Sequence, residues 1–327
     1  MIISAIWYII LCLNSEHYVY TASSKMSSGH TSTIHDSSQP EIIFCHGRCC
    51  SGQDDLKKYQ NAGIIAKHKA ISFDFDDAKQ YRKDQKRHYM GHGNDVNKLK
   101  ENINKNEHQI LFGFSRGGAV VAKYVAEDNP FNVKAIMIQG APADIVETVI
   151  DHPTEKFFGI QMPISLPRFI KEYIVSSIYQ DYPRYSKPAI QAVGMMNNKI
   201  RPFLIIHSQQ DSLVHIRSAW DYYLAAKRSG ARNVYLYELS SGDHNQALLD
   251  PHQEEFQKAV HSFYKACDFT YDPQYATLSA SDLQPAEKDI IEKLEADKAL
   301  NSRYKLIGNT IITTALFFFI KGLSRKK

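Results

Sequence analysis

The pentad at residues 113–117 reads Gly-Phe-Ser-Arg-Gly and joins two segments of different character. Residues 109–112, Gln-Ile-Leu-Phe, have the apolar pattern of a short buried strand, and residues 118–127 have the composition of a helix. A serine on a sharp strand-to-helix turn adopts a strained backbone that lifts its hydroxyl above the sheet, and flanking glycines permit the close chain approach of such a turn. The pattern predicts a nucleophile at Ser115. The alternative is an ordinary helix N-cap.

A carboxylate and a histidine follow the pentad, each just after a predicted strand. Residues 200–211 are an apolar strand that runs into a polar turn ending at Asp211. The predicted strand at 234–239 leads into a glycine turn that is followed by His244. Open parallel sheets gather their functional side chains beyond the carboxyl ends of the strands. We therefore expect both side chains to lie near Ser115.

Each of these two assignments has an alternative. Asp211 could instead cap a helix that begins near residue 214. Asp243 is the rival acid, although its position next to His244 in the sequence should direct its side chain elsewhere. The other histidines after or within strands, among them His46, His207 and His215, are expected to be structural or surface residues. The occurrence of serine, acid and histidine in this chain order favours the catalytic interpretation.

With these residues in place, the chain resembles the α/β-hydrolases, particularly their serine esterase and serine peptidase branches, over residues 41–266. The pieces that match are His46-Gly47 after the strand at 41–45, the serine turn, the strand leading to Asp211-Ser212-Leu213-Val214, and Gly242-Asp243-His244. Two positions depart from the family pattern. Relatives usually carry glycine after the histidine of the acid-bearing segment, where this chain has Ser208, and Arg48-Cys49-Cys50 is unusual for the early loop.

The resemblance implies an α/β fold with a mostly parallel central sheet flanked by helices. It also implies acyl transfer, with Ser115 as nucleophile, His244 as general base and Asp211 as the residue that orients the histidine. The backbone N–H groups of Arg48 and Arg116 would form the oxyanion hole, and Gly113 and Gly117 would be the elbow glycines. The expected substrate is a carboxylic ester, a thioester or a small amide. A serine peptidase and a non-catalytic binding module of the same fold are the alternatives.

No metal or cofactor is expected. The five cysteines, at positions 12, 45, 49, 50 and 267, have no metal-binding spacing, and the chain has no phosphate-binding glycine loop. The net charge of +4 is modest. Residues 79–89 mix bases with tyrosines, but we interpret them as a solvated rim beside the site rather than a nucleic-acid surface.

Predicted elements alternate along most of the chain. Helices are expected at 54–68, at 94–106, near 215–229 and near 246–266, and strands at 70–75 and 132–138. This alternation is interrupted by an aromatic-rich insert at residues 143–198, which predicts a helical cap over the site. The alternative is a structural helix pair that does not contact substrate.

The two ends differ from the middle of the chain. Residues 1–23 contain an apolar run typical of a signal peptide but lack a basic start, and residues 24–40 are typical of a flexible linker. The hydrolase domain is predicted at 41–270, followed by a stalk or packing helix at 271–303. Residues 304–327 combine an uncharged apolar run with a basic tail, which predicts a single C-terminal membrane anchor with the side of the membrane left open. A terminal helix packed on the domain is the alternative.

Overall fold

A parallel β-sheet forms the centre of the computed structural model, which describes residues 39–48, 50–76, 94–148, 167–178, 188–196 and 200–302. The strands, in chain order, are β1 (Glu41–Cys45), β2 (Ala70–Ser72), β3 (Gln109–Phe114), β4 (Val133–Gln139), β5 (Phe203–Ser208) and β6 (Val234–Leu239). Their order across the sheet is β2-β1-β3-β4-β5-β6, and every pairing is parallel. The winding direction therefore reverses between β1 and β3.

Helices connect the strands and cover both faces of the sheet. They are α1 (Gly52–Asn61), α2 (Asn94–Asn102), α3 (Arg116–Asp128), α4 (Arg168–Ile178), α5 (Ala189–Val193), α6 (Arg217–Arg228) and α7 (His252–Ala266), with α8 at residues 287–302. Ser51 begins α1 by accepting the N–H of Asp54. Helix α3 follows the serine turn and is buried from Arg116 to Ala126, so the helix beneath the site is held by the core on most of its surface.

Two apolar clusters lie on opposite faces of the sheet because successive strand residues point to opposite sides. In β3, Leu111 joins the cluster that includes α3 and α6, whereas Ile110 and Phe112 join the cluster that includes α1 and α7. All three side chains are fully buried. A strand that is buried on both faces has a nearly continuous apolar sequence, as β3 has.

The predicted elements are present, and several of their ends differ. The helix expected at 54–68 spans Gly52–Asn61, and the one expected at 94–106 ends at Asn102. The strand expected at 70–75 is only Ala70–Ser72, because the chain beyond it turns toward the site, where the Phe75 N–H is donated to His46. The helix expected near 246–266 begins at His252, after the Asp250–Pro251 bond.

The insert is only partly described, and its last part belongs to the core. Ala189, Val193 and Met196 are buried in the same cluster as α3, and α5 packs against α3 and α6. This part of the insert packs on the body of the domain. Helix α4 is tied to the body of the domain by Arg168, whose Nη1 lies 2.6 Å from Asp144 Oδ2. The expected cap residues at 149–166, 179–187 and 197–198 lie outside the described residues.

The segment predicted as a stalk or packing helix packs on the domain through its buried apolar residues. Leu283 and Ile290 are fully buried, and the Leu283 carbonyl accepts the N–H of Leu236 at the edge of the sheet.

The predicted signal segment and linker up to residue 38, and the predicted anchor at 304–327, lie outside the described residues. Within the part of the chain that the structure describes, no helix is long and apolar enough to cross a membrane.

Candidate active site

The serine turn has the strained geometry that its sequence predicts. Ser115 has φ 52° and ψ −118°, a conformation that side-chain-bearing residues rarely adopt and that costs about 1–3 kcal/mol. Its backbone is fixed on both sides, because its N–H is donated to Gln139 O at 2.8 Å and its carbonyl accepts the Gly118 N–H at 2.9 Å. The Ser115 side chain makes no capping hydrogen bond to α3 in the described structure.

The Ser115 hydroxyl instead contacts a histidine from the loop after β6. His244 Nε2 lies 2.9 Å from Ser115 Oγ, and His244 Nδ1 lies 2.7 Å from Asp211 Oδ2. An ionised carboxylate can only accept a hydrogen bond, so His244 Nδ1 carries the ring proton and donates it to Asp211. Nε2 then accepts a hydrogen bond from the Ser115 hydroxyl. The three side chains are each at most 9% exposed. The fold thus brings together three groups separated by up to 129 residues in the sequence.

Asp211 is held as an ionised acceptor on both of its oxygens. Oδ1 accepts the N–H groups of Leu213 and Val214 at 2.9 and 2.8 Å. Asp211 therefore also caps the turn that follows it, which is the alternative role considered for it in the sequence. Burial by itself raises the pKa of Asp211, but hydrogen bonds from His207 and His244 outweigh it and bring the pKa well below its usual range. The carboxylate therefore stays charged at neutral pH.

Asp243 does not contact the His244 ring through its carboxylate. Its Oδ1 accepts the backbone N–H of His244 at 2.7 Å, and also the N–H and hydroxyl of Ser212 at 2.9 and 2.8 Å. The carboxylate beside the imidazole is that of Asp211.

Comparison with solved structures shows which fold this sheet and site belong to. An esterase of Pyrococcus furiosus matches with a TM-score of 0.50 and 15% identity, over 70% of this chain and 83% of that one. An uncomplexed acylaminoacyl peptidase of Pyrococcus horikoshii matches with a TM-score of 0.51 and 14% identity, over 77% of this chain. The chain has the α/β-hydrolase fold. This confirms, at the level of fold, the resemblance drawn from the sequence.

This chain spans most of the esterase but less than half of the peptidase. It covers 40% of the peptidase chain, so the comparison concerns only part of that protein. No protein-family model matches the sequence, and no curated protein matches it either.

In an α/β-hydrolase fold the crevice at the winding reversal is where ligands bind. Here the reversal lies between β1 and β3, and Ser115 directly follows β3. Gly47, just after β1, is its neighbour: a Cβ placed on Gly47 would lie 3.6 Å from Ser115 Cβ. Arg48, whose backbone N–H the sequence predicts as part of the oxyanion hole, directly follows Gly47 in the chain.

The Arg116 side chain points away from this crevice into a buried ion pair. Its Nε and Nη2 lie 2.8 and 2.5 Å from the two carboxylate oxygens of Asp95 on α2, and its guanidinium lies 4.6 Å from the Phe75 ring centroid. Arg116 is the first residue of α3, and the backbone N–H groups at the start of a helix favour nearby negative charge. No sequence pattern indicates Asp95 as the partner of Arg116.

His207 is a site residue that sequence reasoning missed. It was expected to be structural, yet its Nε2 lies 3.3 Å from Asp211 Oδ2 and 2.6 Å from the Val214 carbonyl. The carbonyl requires a proton on Nε2, so this nitrogen donates toward the acid as well. The spacing of four residues between His207 and Asp211 was the available signal.

His46 is structural as expected: it is buried, donates from Nδ1 to Gly47 O and accepts the Phe75 N–H.

The described residues contain no cluster of His, Cys, Asp and Glu that could hold a metal ion. Cys45 and Cys267 are free thiols, and Cys12 and Cys49 lie outside the described residues. Burial raises the pKa of the Cys267 thiol to about 12 and raises that of Cys45 further, so neither thiol forms a reactive thiolate at neutral pH.

The elbow glycines are required by close backbone contacts. A Cβ on Gly113 would lie 2.4 Å from Gly117 O, and a Cβ on Gly117 would lie 2.0 Å from Cys45 O. We expect Gly117→Ala to destabilise the domain by about 3 kcal/mol, because the clash is with backbone and a buried strand must move.

The matched control is Gly194→Ala at the end of α5, where the nearest described atoms are 3.6 Å away and φ is −62°. It should change stability by less than about 1 kcal/mol. Urea unfolding of both variants measures the difference. Equal stabilities would show that the strand-to-helix turn is not packed as described.

Proposed function

We propose that this chain is a serine hydrolase that cleaves a carboxylic ester, a thioester or a small amide through an acyl-enzyme intermediate. The observation that carries the proposal is the continuous hydrogen-bonded path from Ser115 Oγ through the His244 ring to Asp211, with contacts of 2.9 and 2.7 Å. Those are the distances at which a base can take a proton from a nucleophile and be oriented by an acid.

The steps follow from the protonation states. Ser115 Oγ attacks the substrate carbonyl carbon while its proton passes to His244 Nε2, and Asp211 stabilises the resulting imidazolium. Backbone N–H groups of Arg116 and Arg48 would hold the tetrahedral oxyanion. When the intermediate collapses, the imidazolium returns the proton to the leaving alkoxide, thiolate or amine. Water then repeats the sequence on the acyl-enzyme, releasing the carboxylic acid and regenerating the serine.

The strain at Ser115 argues against a non-catalytic binding module. A conformation that costs about 1–3 kcal/mol is retained where the surrounding structure is built to hold it, and such positions cluster at functional sites. Here the residue in that conformation is also the one whose hydroxyl meets a buried histidine. A binding role alone would not need both features.

Burst kinetics test the proposal. On mixing with excess p-nitrophenyl acetate, the enzyme should release about one equivalent of p-nitrophenol rapidly and then reach a slower steady state, because this activated ester acylates the serine faster than water deacylates it. A parallel assay with an N-acetyl amino-acid p-nitroanilide compares ester with amide cleavage at the same serine. Absence of p-nitrophenol release above the buffer rate, in a protein shown to be folded, would contradict the proposed function.

A further inference from the structure

The loops that carry the acid and the histidine are joined by side chains beyond the end of the sheet. The pairing of β5 with β6 ends at Ser208 and Leu239, and one further backbone hydrogen bond links Gln209 N to Leu239 O at 3.0 Å. Asp211 and His244 both lie past this point. Their 2.7 Å contact therefore depends on how two loops, each leaving a different strand, are held relative to one another.

One bridge comes from Ser208, at the position where relatives of this fold usually carry glycine. Its hydroxyl is buried, donates to the Gly242 carbonyl and accepts the N–H of Gln210 at 3.1 Å. Gly242 directly precedes Asp243 and His244, and its φ of 95° suits glycine. A glycine at position 208 would have no hydroxyl with which to make either contact. The serine thus joins the end of the acid strand to the turn that presents the histidine.

The second bridge comes from Asp243 on the other side of the acid–histidine contact. One carboxylate oxygen, Oδ1, accepts three donors: the Ser212 N–H, the Ser212 hydroxyl and the His244 N–H. Ser212 directly follows Asp211. The bridge therefore connects the residue after the acid to the backbone of the histidine itself.

We propose that Ser208 and Asp243 are positioning residues that hold the acid loop and the histidine loop at the separation required for the Asp211–His244 hydrogen bond. Neither side chain contacts the reacting atoms; each acts through the backbone of the loop it bridges. The expected effect of these bridges on the reaction rate rests on the proposed function, whereas their effect on the Asp211–His244 distance does not. Loss of a bridge lets the loops separate, and misplacement of a catalytic group by about 1 Å can cost as much as 100-fold in rate.

Four variants test the proposal. Ser208→Ala and Asp243→Ala each remove a bridge, whereas Asp243→Asn retains an amide oxygen that can accept the same donors. The control is Asp282→Ala: Asp282 Oδ2 accepts the N–H and hydroxyl of Ser279 at 2.8 and 2.7 Å, a bridge of the same chemistry in the segment between α7 and α8. All four are compared with wild type for kcat, KM, Tm and the downfield proton NMR signal of the His244 Nδ1 proton, assigned by its loss in His244→Ala.

We expect Ser208→Ala and Asp243→Ala each to lower kcat about 10-fold with KM within twofold. Both should broaden or lose the downfield signal, while Asp243→Asn and Asp282→Ala keep the signal and most of the activity. Unchanged kcat and signal in both bridge variants would overturn the proposal, as would an equal loss in Asp282→Ala. If the wild type shows no turnover, the proposed function fails, and the NMR comparison still decides whether these bridges hold the histidine on the acid.

Discussion

Ser115→Ala is expected to lower kcat by about 10⁶-fold, with a much smaller change in KM. The reason is that the alanine removes the oxygen proposed to form the acyl-enzyme while leaving the backbone turn around it unchanged. The activity that remains should be the part contributed by substrate binding and the oxyanion hole, about 10³–10⁴-fold over water. Steady-state kinetics on an activated ester, with protein free of wild-type contamination, measures this loss.

The control for this variant is Ser229→Ala at the end of α6, where the serine hydroxyl donates to the Ala226 carbonyl. It should leave kcat unchanged. Adding His244→Ala to Ser115→Ala should cost little more than the single change, because residues that act as one unit are strongly non-additive. Retention of more than about a tenth of wild-type kcat in Ser115→Ala would show that another group is the nucleophile.

Asp211→Asn is expected to lower kcat by about 10⁴-fold. An asparagine can turn an N–H toward His244 Nδ1, which favours the wrong tautomer of the ring and leaves the imidazolium without its neighbouring charge. The low pKa of Asp211 means that the wild-type carboxylate is charged over the whole neutral range, so the loss should be present throughout it. A kcat profile measured between pH 6 and pH 9 checks this.

Asp243→Asn separates the two candidate acids. It preserves an oxygen acceptor for Ser212 and for the His244 N–H, so kcat should remain within about threefold of wild type. The reverse pattern, in which Asp243→Asn loses several orders of magnitude and Asp211→Asn does not, would mean that the acid is wrongly assigned.

The fold could be predicted from the sequence because the residues that form the serine turn of an α/β-hydrolase are close together in the chain. A buried strand, a glycine-flanked serine and a helix occupy consecutive residues, and chain order then points to Asp211 and His244. The central strands β1, β3, β4 and β5 could be located because nearly all of their residues are buried on both faces of the sheet. The ends of the elements were less accurate, as at Ala70–Ser72, because the chain leaves its pairing with β1 after Ser72 although apolar residues continue at Phe73 and Phe75.

What could not be predicted depends on contacts between distant residues. The pairing of Arg116 with Asp95 crosses from α3 to α2, and nothing in either segment specifies the other. His207 was treated as structural because a histidine inside an apolar strand is usually a core residue. Its place beside Asp211 arises from the path of the turn after β5. Ser208 was noticed only as a departure from the family, and its contact with Gly242 became visible once the two loops were placed together.

Covalent labelling tests the central claim most directly. Purified protein is treated with a fluorophosphonate probe, digested, and mapped by mass spectrometry, with Ser115→Ala and Ser229→Ala treated in parallel. We predict one modified peptide, carrying the probe on Ser115, in wild type and Ser229→Ala, and no labelling in Ser115→Ala. Labelling of folded Ser115→Ala at the wild-type level, or none in folded wild type, would contradict the assignment of Ser115 as the nucleophile of a serine hydrolase.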